Sequence, residues 1–542
     1  MCDHQNLNKV IYFDDFRSFI NDIGQRYDQK DCLSVYDRQA QIHTISYQDF
    51  SDNVVAFGAY LQSKGYSNKH CAIIAENSVE WLTTAFALAY IGSIAVSIDT
   101  EQADETIIEM IKQADCEVVF YSSGFKPLQK HFTESVEFIM IDDKSLFTQM
   151  LDHGKNDLDS LEFIKKKNID ADACSFIYYT SGTTSTSKPV MLSQKAILFN
   201  AIDAMALVKV QGRLFTSLPF YHTYGLTCSI IDVLSQGLSI CINGNMKTSM
   251  RDMIMFEPHY MMAVPLIVET IYKYFALEIN KLKKADELED FMKGKSGIFK
   301  GDSANEALFK NVLRKIVGNN LKMIVCGGAH ISEQLIRKFD RLGIIILQGY
   351  GITECSPLVS VNRDNNNQIG SVGRVLPHYQ VKIVDNEIYV KGTSLMLGYY
   401  KDQKLTDEAF ADGWFKTGDI GHQDKQGFLY ITGRKKNLIV FKNGKKTSPE
   451  EIEGYLYNIP YVKEVLAYGA AAGVSIDDVK LCVTIYPDPI LTQQMASYEI
   501  LDLLQKEIDK INTKLPAYKQ IQMVKISENP LPKTGLNKIK RS

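Results

Sequence analysis

Small hydroxyl residues around a glycine, ending in a lysine, form the most informative stretch of the sequence. The stretch runs Tyr179-Thr180-Ser181-Gly182-Thr183-Thr184-Ser185-Thr186-Ser187-Lys188. Backbone N–H groups in such a loop point at an anion. The uncharged run Cys174–Tyr179 predicts a buried strand before the loop, and the apolar periodicity of Val190–Leu207 predicts a helix after it. The sequence therefore predicts a phosphate-binding loop at a strand-to-helix turn.

This stretch differs from the P-loop, whose pattern is G-x-x-x-x-G-K-[ST]. Gly182 occupies the position of the first glycine, but Ser187 stands where the second is needed, and Pro189 follows the lysine. By itself the stretch is also compatible with an ordinary polar turn. Its interpretation depends on the motifs that accompany it.

Length and composition bound the class of protein. A chain of 542 residues exceeds one ordinary core, so two or more domains are expected. Its net charge of −4 gives no reason to expect a nucleic-acid partner. The ten cysteines are scattered singly, without C-x-x-C pairs, which predicts reduced thiols in the cytoplasm rather than disulfides or zinc.

The first residues, from Met1 onward, lack the basic start and apolar core of a secretory signal. One uncharged run, Leu82–Ile98, falls short of the roughly 20 apolar residues of a membrane span and contains Gly92. It is better divided into a buried helix, Val79–Ile91, and a buried strand, Ser93–Ile98. We therefore expect no transmembrane segment.

The elements that must position the loop alternate along residues 35–270. This alternation of helices and short apolar strands predicts an α/β fold with mostly parallel sheets. The predicted strands are Cys71–Ala75, Ile94–Ile98 and Val118–Tyr121, and the predicted helices are Val79–Ile91 and Thr106–Ala114.

The pattern changes twice after residue 270. Tyr272–Asn320 is rich in Lys and Glu and predicts a solvated helical insertion; a basic face that contacts a membrane periphery or an acidic partner is the alternative. Gln380–Val384 and Glu387–Val390 predict strands of a small β-rich subdomain. We predict a large N-terminal domain, residues 1–433, and a small mobile α+β C-terminal domain, residues 434–542.

Five further motifs follow the first in order. They are Leu218-Pro219-Phe220-Tyr221-His222-Thr223-Tyr224-Gly225, Gln348-Gly349-Tyr350-Gly351-Ile352-Thr353-Glu354-Cys355-Ser356-Pro357, Gly413-Trp414-Phe415-Lys416-Thr417-Gly418-Asp419, Gly433-Arg434-Lys435-Lys436, and Leu531-Pro532-Lys533-Thr534-Gly535-Leu536-Asn537-Lys538-Ile539-Lys540-Arg541. Together the six motifs resemble the acyl-adenylate-forming family of acyl-CoA synthetases, adenylation domains and luciferases. The resemblance spans residues 35–541 and is greatest to bacterial medium- and long-chain fatty acyl-CoA synthetases.

The resemblance implies a two-step ligase. A carboxylic acid, here expected to be a fatty acid, is joined to ATP as acyl-AMP with release of pyrophosphate, and the acyl group then passes to the thiol of CoA. The implied small molecules are ATP, Mg²⁺ and CoA. Such chemistry depends on neutralising phosphate charge and fixing the geometry of two anions.

The resemblance also implies a nucleotide site. Thr353 would contact phosphate, Glu354 would hold Mg²⁺, and the Tyr350 ring would stack on adenine. Asp419 and Arg434 would contact the ribose. The full implied nucleotide set is Thr180, Ser181, Gly182, Thr183, Thr184, Lys188, Gly327, Gly328, Ala329, Tyr350, Gly351, Thr353, Asp419 and Arg434.

The remaining implied roles concern catalysis and motion. Lys538 would reach the reacting carboxylate and α-phosphate, His222 would lie beside the carboxylate, and Lys436 would be the hinge of a rotating C-terminal domain. The implied catalytic residues are Lys538, Glu354, Thr353 and His222, and the implied thiol-binding residues are Asn443, Gly444 and Lys446.

The sequence departs from the family pattern at four positions. Ser185, Pro189 and Asn537 replace usual glycines, and Gln194 stands where histidine is more common. Replacing glycine removes access to positive φ, and proline removes an N–H donor. None of these changes removes a charged catalytic group.

The resemblance implies that the acid pocket is lined by segments near 217–230, 262–270 and 326–330. Phe220, Tyr221, Leu226 and Val264 in them indicate an apolar acid. No aspartate lies at residues 221–223 to pair a substrate ammonium, as a buried cation would require.

Two alternatives remain open from the sequence. The acyl group could end on the phosphopantetheine of a separate acyl or peptidyl carrier protein, or the chain could be a non-catalytic acyl or nucleotide sensor. The sequence is compatible with a monomer or a homodimer.

Overall fold

The computed structural model describes the chain in segments. They are residues 7–132, 136–180, 187–245, 247–293, 303–441, 445–457, 459, 461–471, 479–489, 491–493, 495–533 and 539–541. Several predicted residues lie outside the described ones, namely Ser181, Gly182, Thr183, Thr184, Asn443, Gly444 and Lys538, together with Ser185 and Asn537.

The described strands form five sheets. In chain order they are β1 (Asp31–Tyr36), β2 (Ile42–Ser46), β3 (His70–Ile74), β4 (Ile94–Ser97), β5 (Val118–Tyr121), β6 (Glu137–Met140), β7 (Cys174–Tyr179), β8 (Pro189–Ser193), β9 (Arg213–Thr216), β10 (Ser239–Ile242), β11 (Tyr260–Ala263), β12 (Met323–Cys326), β13 (Ile345–Gly351), β14 (Leu358–Val361), β15 (Arg374–Val375), β16 (Tyr379–Val384), β17 (Glu387–Gly392), β18 (Gly398–Tyr399), β19 (Phe410–Ala411), β20 (Trp414–Gln423), β21 (Leu429–Arg434), β22 (Ile439–Val440), β23 (Lys446–Thr447), β24 (Val462–Ala471), β25 (Val479–Pro487) and β26 (Met523–Ile526).

The α-helices are α1 (Phe16–Tyr27), α2 (Tyr47–Ser63), α3 (Val79–Tyr90), α4 (Asp104–Gln113), α5 (Lys144–Asn156), α6 (Leu158–Lys166), α7 (Gln194–Leu207), α8 (Thr223–Leu226), α9 (Asp232–Ser235), α10 (Ser249–Phe256), α11 (Pro265–Lys281), α12 (Ala285–Lys293), α13 (Ser303–Val317), α14 (Glu333–Arg341), α15 (Gln403–Ala409), α16 (Pro449–Leu456) and α17 (Ser497–Asn512). A π turn, Thr227–Ile231, joins α8 to α9. Among the described residues, no helix has the length and apolar character needed to cross a membrane.

The first sheet has nine strands in the order β15-β14-β13-β12-β11-β9-β10-β1-β2. The six strands from β13 to β1 pair in parallel, and the edge strands pair antiparallel. Met261, Ile324 and Ile346 are fully buried in its centre. Strands buried on both faces are apolar throughout, and ligands of such sheets bind beyond the carboxyl ends of the strands. For β11, β12 and β13 these ends meet at one edge.

The second sheet has seven strands in the order β18-β8-β7-β4-β3-β5-β6, parallel from β7 to β6. Its strands β8 and β18 pair antiparallel at one edge. The rings of Phe120, Phe176 and Tyr178 are buried in it. The predicted strands and helices of residues 71–121 all lie in or beside this sheet, within a few residues of the predicted bounds.

A third, antiparallel sheet follows, with β21 paired to β20 beside the path β16-β17-β20-β19. The C-terminal segment then has the hairpin β22–β23, the sheet β24-β25-β26 and its own buried cluster, which includes Ile439, Ile452 and Leu481. The predicted α/β class with a β-rich subdomain and a smaller C-terminal α+β part is confirmed. The boundary at 433/434 and the mobility of the C-terminal part stay predictions.

The helix predicted over Val190–Leu207 is wrong in its first turn. Val190 and Leu192 belong to β8, which pairs antiparallel with β7, and α7 begins only at Gln194. The Ser193 side chain accepts a hydrogen bond from the Ala196 N–H at 3.1 Å, which caps the helix there. The phosphate loop therefore connects two strands of a hairpin rather than a strand and a helix, because the apolar run pairs with a buried neighbour.

The segment predicted as a solvated insertion is buried on one side. Helices α11, α12 and α13 contribute Phe275, Phe291, Phe309 and Leu313 to a cluster with residues of the first sheet. Their charged residues lie on the other faces, as in ordinary amphipathic helices.

Asn200 on α7 holds the segment that follows β13. Its side chain is fully buried, and its Nδ2 donates to the carbonyl oxygens of Cys355 at 3.0 Å and Leu358 at 2.8 Å. Its Oδ1 accepts the Leu358 N–H at 3.0 Å. The turn that carries Thr353 and Glu354 is therefore anchored to the core by one amide.

We predict that Asn200→Ala lowers the free energy of unfolding by about 2–3 kcal/mol, because buried backbone groups lose their partners. The urea midpoint of unfolding measures the change. Lys195→Ala, on the same helix but in ion pairs longer than 3.5 Å, is the control and should change stability by less than about 0.5 kcal/mol. Equal losses for the two variants would contradict the anchoring role.

Candidate active site

Three predicted nucleotide residues from separate segments meet at one carboxylate. Asp419 and Arg434 are opposite each other in the β20–β21 ladder, and Arg434 Nε lies 2.7 Å from Asp419 Oδ1. The Tyr350 hydroxyl donates to Asp419 Oδ2 at 2.6 Å. Asp419 is only 3% exposed. Both carboxylate oxygens thus already have protein partners, and a ribose would share them.

The charges of this group are mutually supporting. Burial, and then the neighbouring Asp419 charge, raise the pKa of Tyr350 well above its usual value, so the phenol stays protonated and donates. Burial acts to lower the pKa of Arg434, but the charges of Asp419 and Glu354 outweigh it. Arg434 therefore remains a cation, paired with Asp419.

Thr180 and Lys188 close the neck of the predicted phosphate loop. The Thr180 N–H donates to the Lys188 carbonyl at 3.0 Å, and the Lys188 N–H donates to the Thr180 hydroxyl at 3.3 Å. Pro189 begins β8 opposite Tyr179, a position where a strand tolerates proline. Its substitution for glycine is therefore accommodated by the hairpin, and Ser181–Thr184 lie outside the described residues.

Tyr399 connects Lys188 to the predicted metal ligand. The Lys188 ammonium lies 5.1 Å from the centre of the Tyr399 ring, and the Tyr399 hydroxyl donates to Glu354 Oε1 at 2.9 Å. Burial, followed by the Glu354 charge, raises the pKa of Tyr399, so this phenol also remains a donor. Glu354 and Thr353 are half-buried in a short 3-10 turn. Nothing in the sequence singled out Tyr399.

A third cation completes the cluster. Partial burial, and then the charges of Arg434 and Lys188, lower the pKa of Lys436. Lys188 lies on the Tyr399 ring, whose hydroxyl bonds Glu354, and Arg434 pairs with Asp419. Lys436 follows Arg434 by two residues in the chain. Cations gathered in this way attract a polyphosphate.

The glycines near the site are required for different structural reasons. Gly328 has φ of +83°, which favours glycine, and it lies at the exposed turn with Ala329 after β12. A Cβ on Gly351 would lie 2.5 Å from the Pro357 carbonyl oxygen, so that strand requires glycine for close backbone approach. Gly327 lines the cavity described next.

An apolar cavity extends from this edge of the first sheet along α7 and the helical segment 223–235. Its walls include Met205, Val208, Tyr224, Cys228, Met262 and Val325. Of the residues predicted to form an apolar acid pocket, Phe220 packs instead on Trp81 with ring centres 5.5 Å apart. His222 is half-buried before α8, 4.8 Å from the Tyr221 ring.

One acid also lines the cavity, and the sequence prediction missed it. Asp232 is 1% exposed, and its Oδ1 accepts the Val233 N–H at 2.7 Å. Burial raises the pKa of Asp232 well above its usual value. The sequence did contain a signal for this residue, because Asp232 is the one Asp, Glu, Lys or Arg among residues 214–246.

Gln194 has a structural role. It is 1% exposed, its Oε1 accepts the Phe16 N–H at 2.8 Å, and its Nε2 donates to the Ala89 carbonyl at 2.9 Å. The usual histidine is therefore replaced by an amide that joins α1 to α3.

The C-terminal predictions are described only in part. Lys533 and Ile539 form an isolated β-bridge around the segment that contains Lys538. Lys533 Nζ lies 2.8 Å from Glu464 Oε1. Lys446 is exposed on β23, beyond the segment with Asn443 and Gly444.

Comparison with known families decides the class. A family described as AMP-binding enzyme matches residues 23–400, and its C-terminal domain, described as AMP-binding enzyme C-terminal domain, matches residues 436–542. The chain belongs to the AMP-binding enzyme family. The predicted resemblance is confirmed, whereas the roles of individual site residues stay predictions.

Relatives of this AMP-binding enzyme include a long-chain-fatty-acid–CoA ligase of Escherichia coli O6:H1, 30% identical over 70% of this chain and 63% of that protein. An indoleacetate–CoA ligase of Aromatoleum aromaticum is 26% identical over 92% of each chain. The chain is an AMP-forming acid–thiol ligase.

Solved structures share the fold. The anthranilate CoA ligase AuaEII in complex with anthranoyl-AMP superposes with a TM-score of 0.79 at 19% identity, covering 98% of this chain and 96% of that one. The o-succinylbenzoate CoA synthetase of Bacillus subtilis in complex with ATP and magnesium ion gives 0.71 at 19% identity, covering 96% and 98%.

The buried acid of this AMP-binding enzyme predicts a pH effect on stability. Because folding raises the pKa of Asp232, the folded protein holds this proton above about pH 4 while the unfolded chain releases it, so its contribution to stability falls as the pH rises. Asparagine cannot ionise.

We therefore predict that the melting temperature of Asp232→Asn, relative to wild type, increases from pH 5 to pH 8. The free-energy difference should grow by about 1.4 kcal/mol per pH unit between the two pKa values of Asp232. Thermal unfolding at four pH values measures it. A difference that is the same at every pH would show that Asp232 is not held protonated.

Proposed function

We propose that this AMP-binding enzyme joins a carboxylic acid to the α-phosphate of ATP and then transfers the acyl group to the thiol of CoA. The observation that carries the proposal is the placement of Lys188 on the Tyr399 ring beside Glu354, and of Arg434 on the buried Asp419. The apolar cavity reaches the same strand, β13, that carries Tyr350. Phosphate charge and an acid chain thus have adjoining sites.

The acid has a mainly apolar body, and a fatty acid is the class we propose. Relatives named long-chain-fatty-acid–CoA ligase and indoleacetate–CoA ligase support an acid of this kind. The methionine and valine side chains in the cavity wall favour such a body by excluding water from it.

The proposed reaction has two displacements. A carboxylate oxygen attacks the α-phosphorus, and the bond to the bridging oxygen breaks, so that pyrophosphate leaves with the electron pair. The CoA sulfur, after losing its proton, attacks the acyl carbon, and the bond to AMP breaks. Both steps bring anions together, and fixed positioning can supply about 7–11 kcal/mol of the acceleration. Lys188 and Arg434 provide the neutralising charge.

The residues present fit Mg²⁺ shared with the substrate. Among the described residues, no group of three or more His, Cys, Asp or Glu side chains forms a complete protein cage. Glu354 is a half-exposed carboxylate beside Lys188, and magnesium is commonly held by one carboxylate together with substrate phosphates. Bound there, the ion would neutralise developing charge on the phosphates.

Lys538, in this proposal, reaches the carboxylate and the α-phosphate during adenylation. The C-terminal part then rotates about Lys436, and Asn443, Gly444 and Lys446 line the thiol channel. The described residues on either side of this segment, Lys533 and Ile539, pair in a β-bridge.

Pyrophosphate release tests the proposal. Purified protein with ATP, Mg²⁺ and a panel of fatty and aryl acids is expected to release pyrophosphate and to form acyl-CoA when CoA is added. Acyl-AMP that CoA does not discharge would indicate a carrier protein as acceptor. Absence of pyrophosphate with every acid would indicate a sensor and refute the proposal.

We predict that Lys538→Ala lowers the rate of adenylation by at least about 100-fold, because a charge that stabilises the transition state is lost. Thioester formation from supplied acyl-AMP should persist. Lys540→Ala, a neighbouring exposed lysine, is the control and should retain both steps. Equal loss of both steps in Lys538→Ala would refute its adenylation role.

We predict that Tyr399→Phe raises the Mg²⁺ concentration needed for half-maximal pyrophosphate release by about 10-fold, because Glu354 loses the hydroxyl that orients it. The ring beside Lys188 is kept. Tyr400→Phe removes a hydroxyl bonded to Asp115 and serves as the matched control. An unchanged magnesium dependence in Tyr399→Phe would exclude the orienting role.

A further inference from the structure

Three side chains that are four residues apart in the sequence line one wall of the cavity. Tyr224, Cys228 and Asp232 all line it from the helical segment 223–235. At 1.5 Å per residue, Asp232 lies about 12 Å along this segment from Tyr224. The Tyr224 hydroxyl donates to the Val325 carbonyl at 3.0 Å, at the end of the cavity near the glycine turn. Asp232 is thus remote from the predicted nucleotide residues.

The Asp232 carboxyl has an unused polar atom. Its Oδ1 is bonded to the Val233 N–H, whereas its Oδ2 has no hydrogen-bond partner among the residues that the structure describes. Buried polar atoms are almost always bonded, and leaving one unbonded costs free energy. Its neighbours in the wall, such as Met205 and Met262, offer no such partner. A ligand in the cavity is positioned to supply it.

The backbone is arranged to present this carboxyl. The π turn Thr227–Ile231 ends at the residue before Asp232. Such turns concentrate at functional sites. Cys228 and Asp232 are four residues apart, a spacing that places both side chains on one face of the helical segment and thus on the cavity wall.

The wall at Asp232, which lies farther along the segment from Tyr224, thus has unsatisfied hydrogen-bonding capacity in otherwise apolar surroundings.

The chemistry at this end favours an uncharged group. Burial raises the pKa of the Asp232 carboxyl, which favours its protonated form, and a protonated carboxyl donates to a hydroxyl or carbonyl oxygen. An ammonium group would require the carboxylate to ionise in an apolar site, which is costly without further partners.

We propose that Asp232 determines specificity by hydrogen-bonding an uncharged hydroxyl or carbonyl oxygen carried near the far end of the acid substrate. The inference rests on the proposed function, because the preference among acids is measured through pyrophosphate release. It narrows the substrate class from a simple fatty acid to an acid with an apolar body and a remote oxygen function.

Four straight-chain acids of equal length test the inference, at three chain lengths. They end in methyl, ω-hydroxyl, a methyl ketone or ω-amino. At the best length, kcat/KM for pyrophosphate release should be at least 10-fold higher for the hydroxy or oxo acid than for the methyl and amino acids. Comparison of the hydroxy and oxo acids identifies the oxygen function.

Variants separate recognition from a structural role. Asp232→Leu should lower kcat/KM for the preferred oxygen-bearing acid by about 10-fold and raise it for the methyl acid. Asp232→Asn keeps a hydrogen-bond donor and should retain the preference for the oxygen-bearing acid. If the leucine variant does not fold, this variant still tests whether residue 232 recognises the oxygen. A uniform loss for all acids, a preference for the amino acid, or no preference at any length would overturn the inference.

Binding separates this inference from the reaction itself. If no acid releases pyrophosphate, the proposed function fails, and calorimetric titration of the same acids into wild type and Asp232→Asn then decides. Tighter binding of the hydroxy or oxo acid than of the methyl acid would support Asp232 as the recognition residue. Equal binding would refute it.

Discussion

The buried Asp419 carboxylate is the interaction on which the site depends. Its two oxygens join Tyr350, near the carboxyl end of β13 in the first sheet, to Arg434, on the last strand of the third sheet. A carboxylate that is 3% exposed is stable only when its oxygens are paired, so each partner holds the other in place. Arg434 also leads directly into Lys435–Asn437, the turn before the C-terminal sheet. The predicted nucleotide residues Tyr350, Asp419 and Arg434 and the start of the C-terminal part therefore share one anchor.

The two ends of the candidate site have opposite electrostatics. Around Glu354 and Asp419, charges are gathered and paired, and phenols with raised pKa remain donors. Along the cavity, the lining side chains are mainly apolar, and burial raises the pKa of the one acid in the wall. This separation suits a reaction that joins a phosphate anion to an apolar acid. It also makes an unbonded polar atom in the cavity informative, because an unpaired polar group in a site of low polarity costs free energy.

Much of the fold was predictable because parallel strands covered on both faces are continuous apolar runs, and β3, β4, β5 and β7 were located from that pattern. The helix predicted from Val190 was wrong at its start because the short apolar run Val190–Leu192 suits a buried strand as well as a helix. Pairing with β7 decided for the strand. The pattern of a short stretch does not show which strand elsewhere in the chain will pair with it.

The sequence by itself determined the order and identity of the chemical groups, from Thr180 and Lys188 to Glu354, Asp419 and Arg434, and with them the family. Only the tertiary structure decided which groups touch. It brought Tyr399 between Lys188 and Glu354, made Gln194 a core amide, and turned an inconspicuous aspartate into a buried acid of the cavity. The physical reason is that motif chemistry is local, whereas burial and hydrogen-bond partners come from segments far apart in the chain.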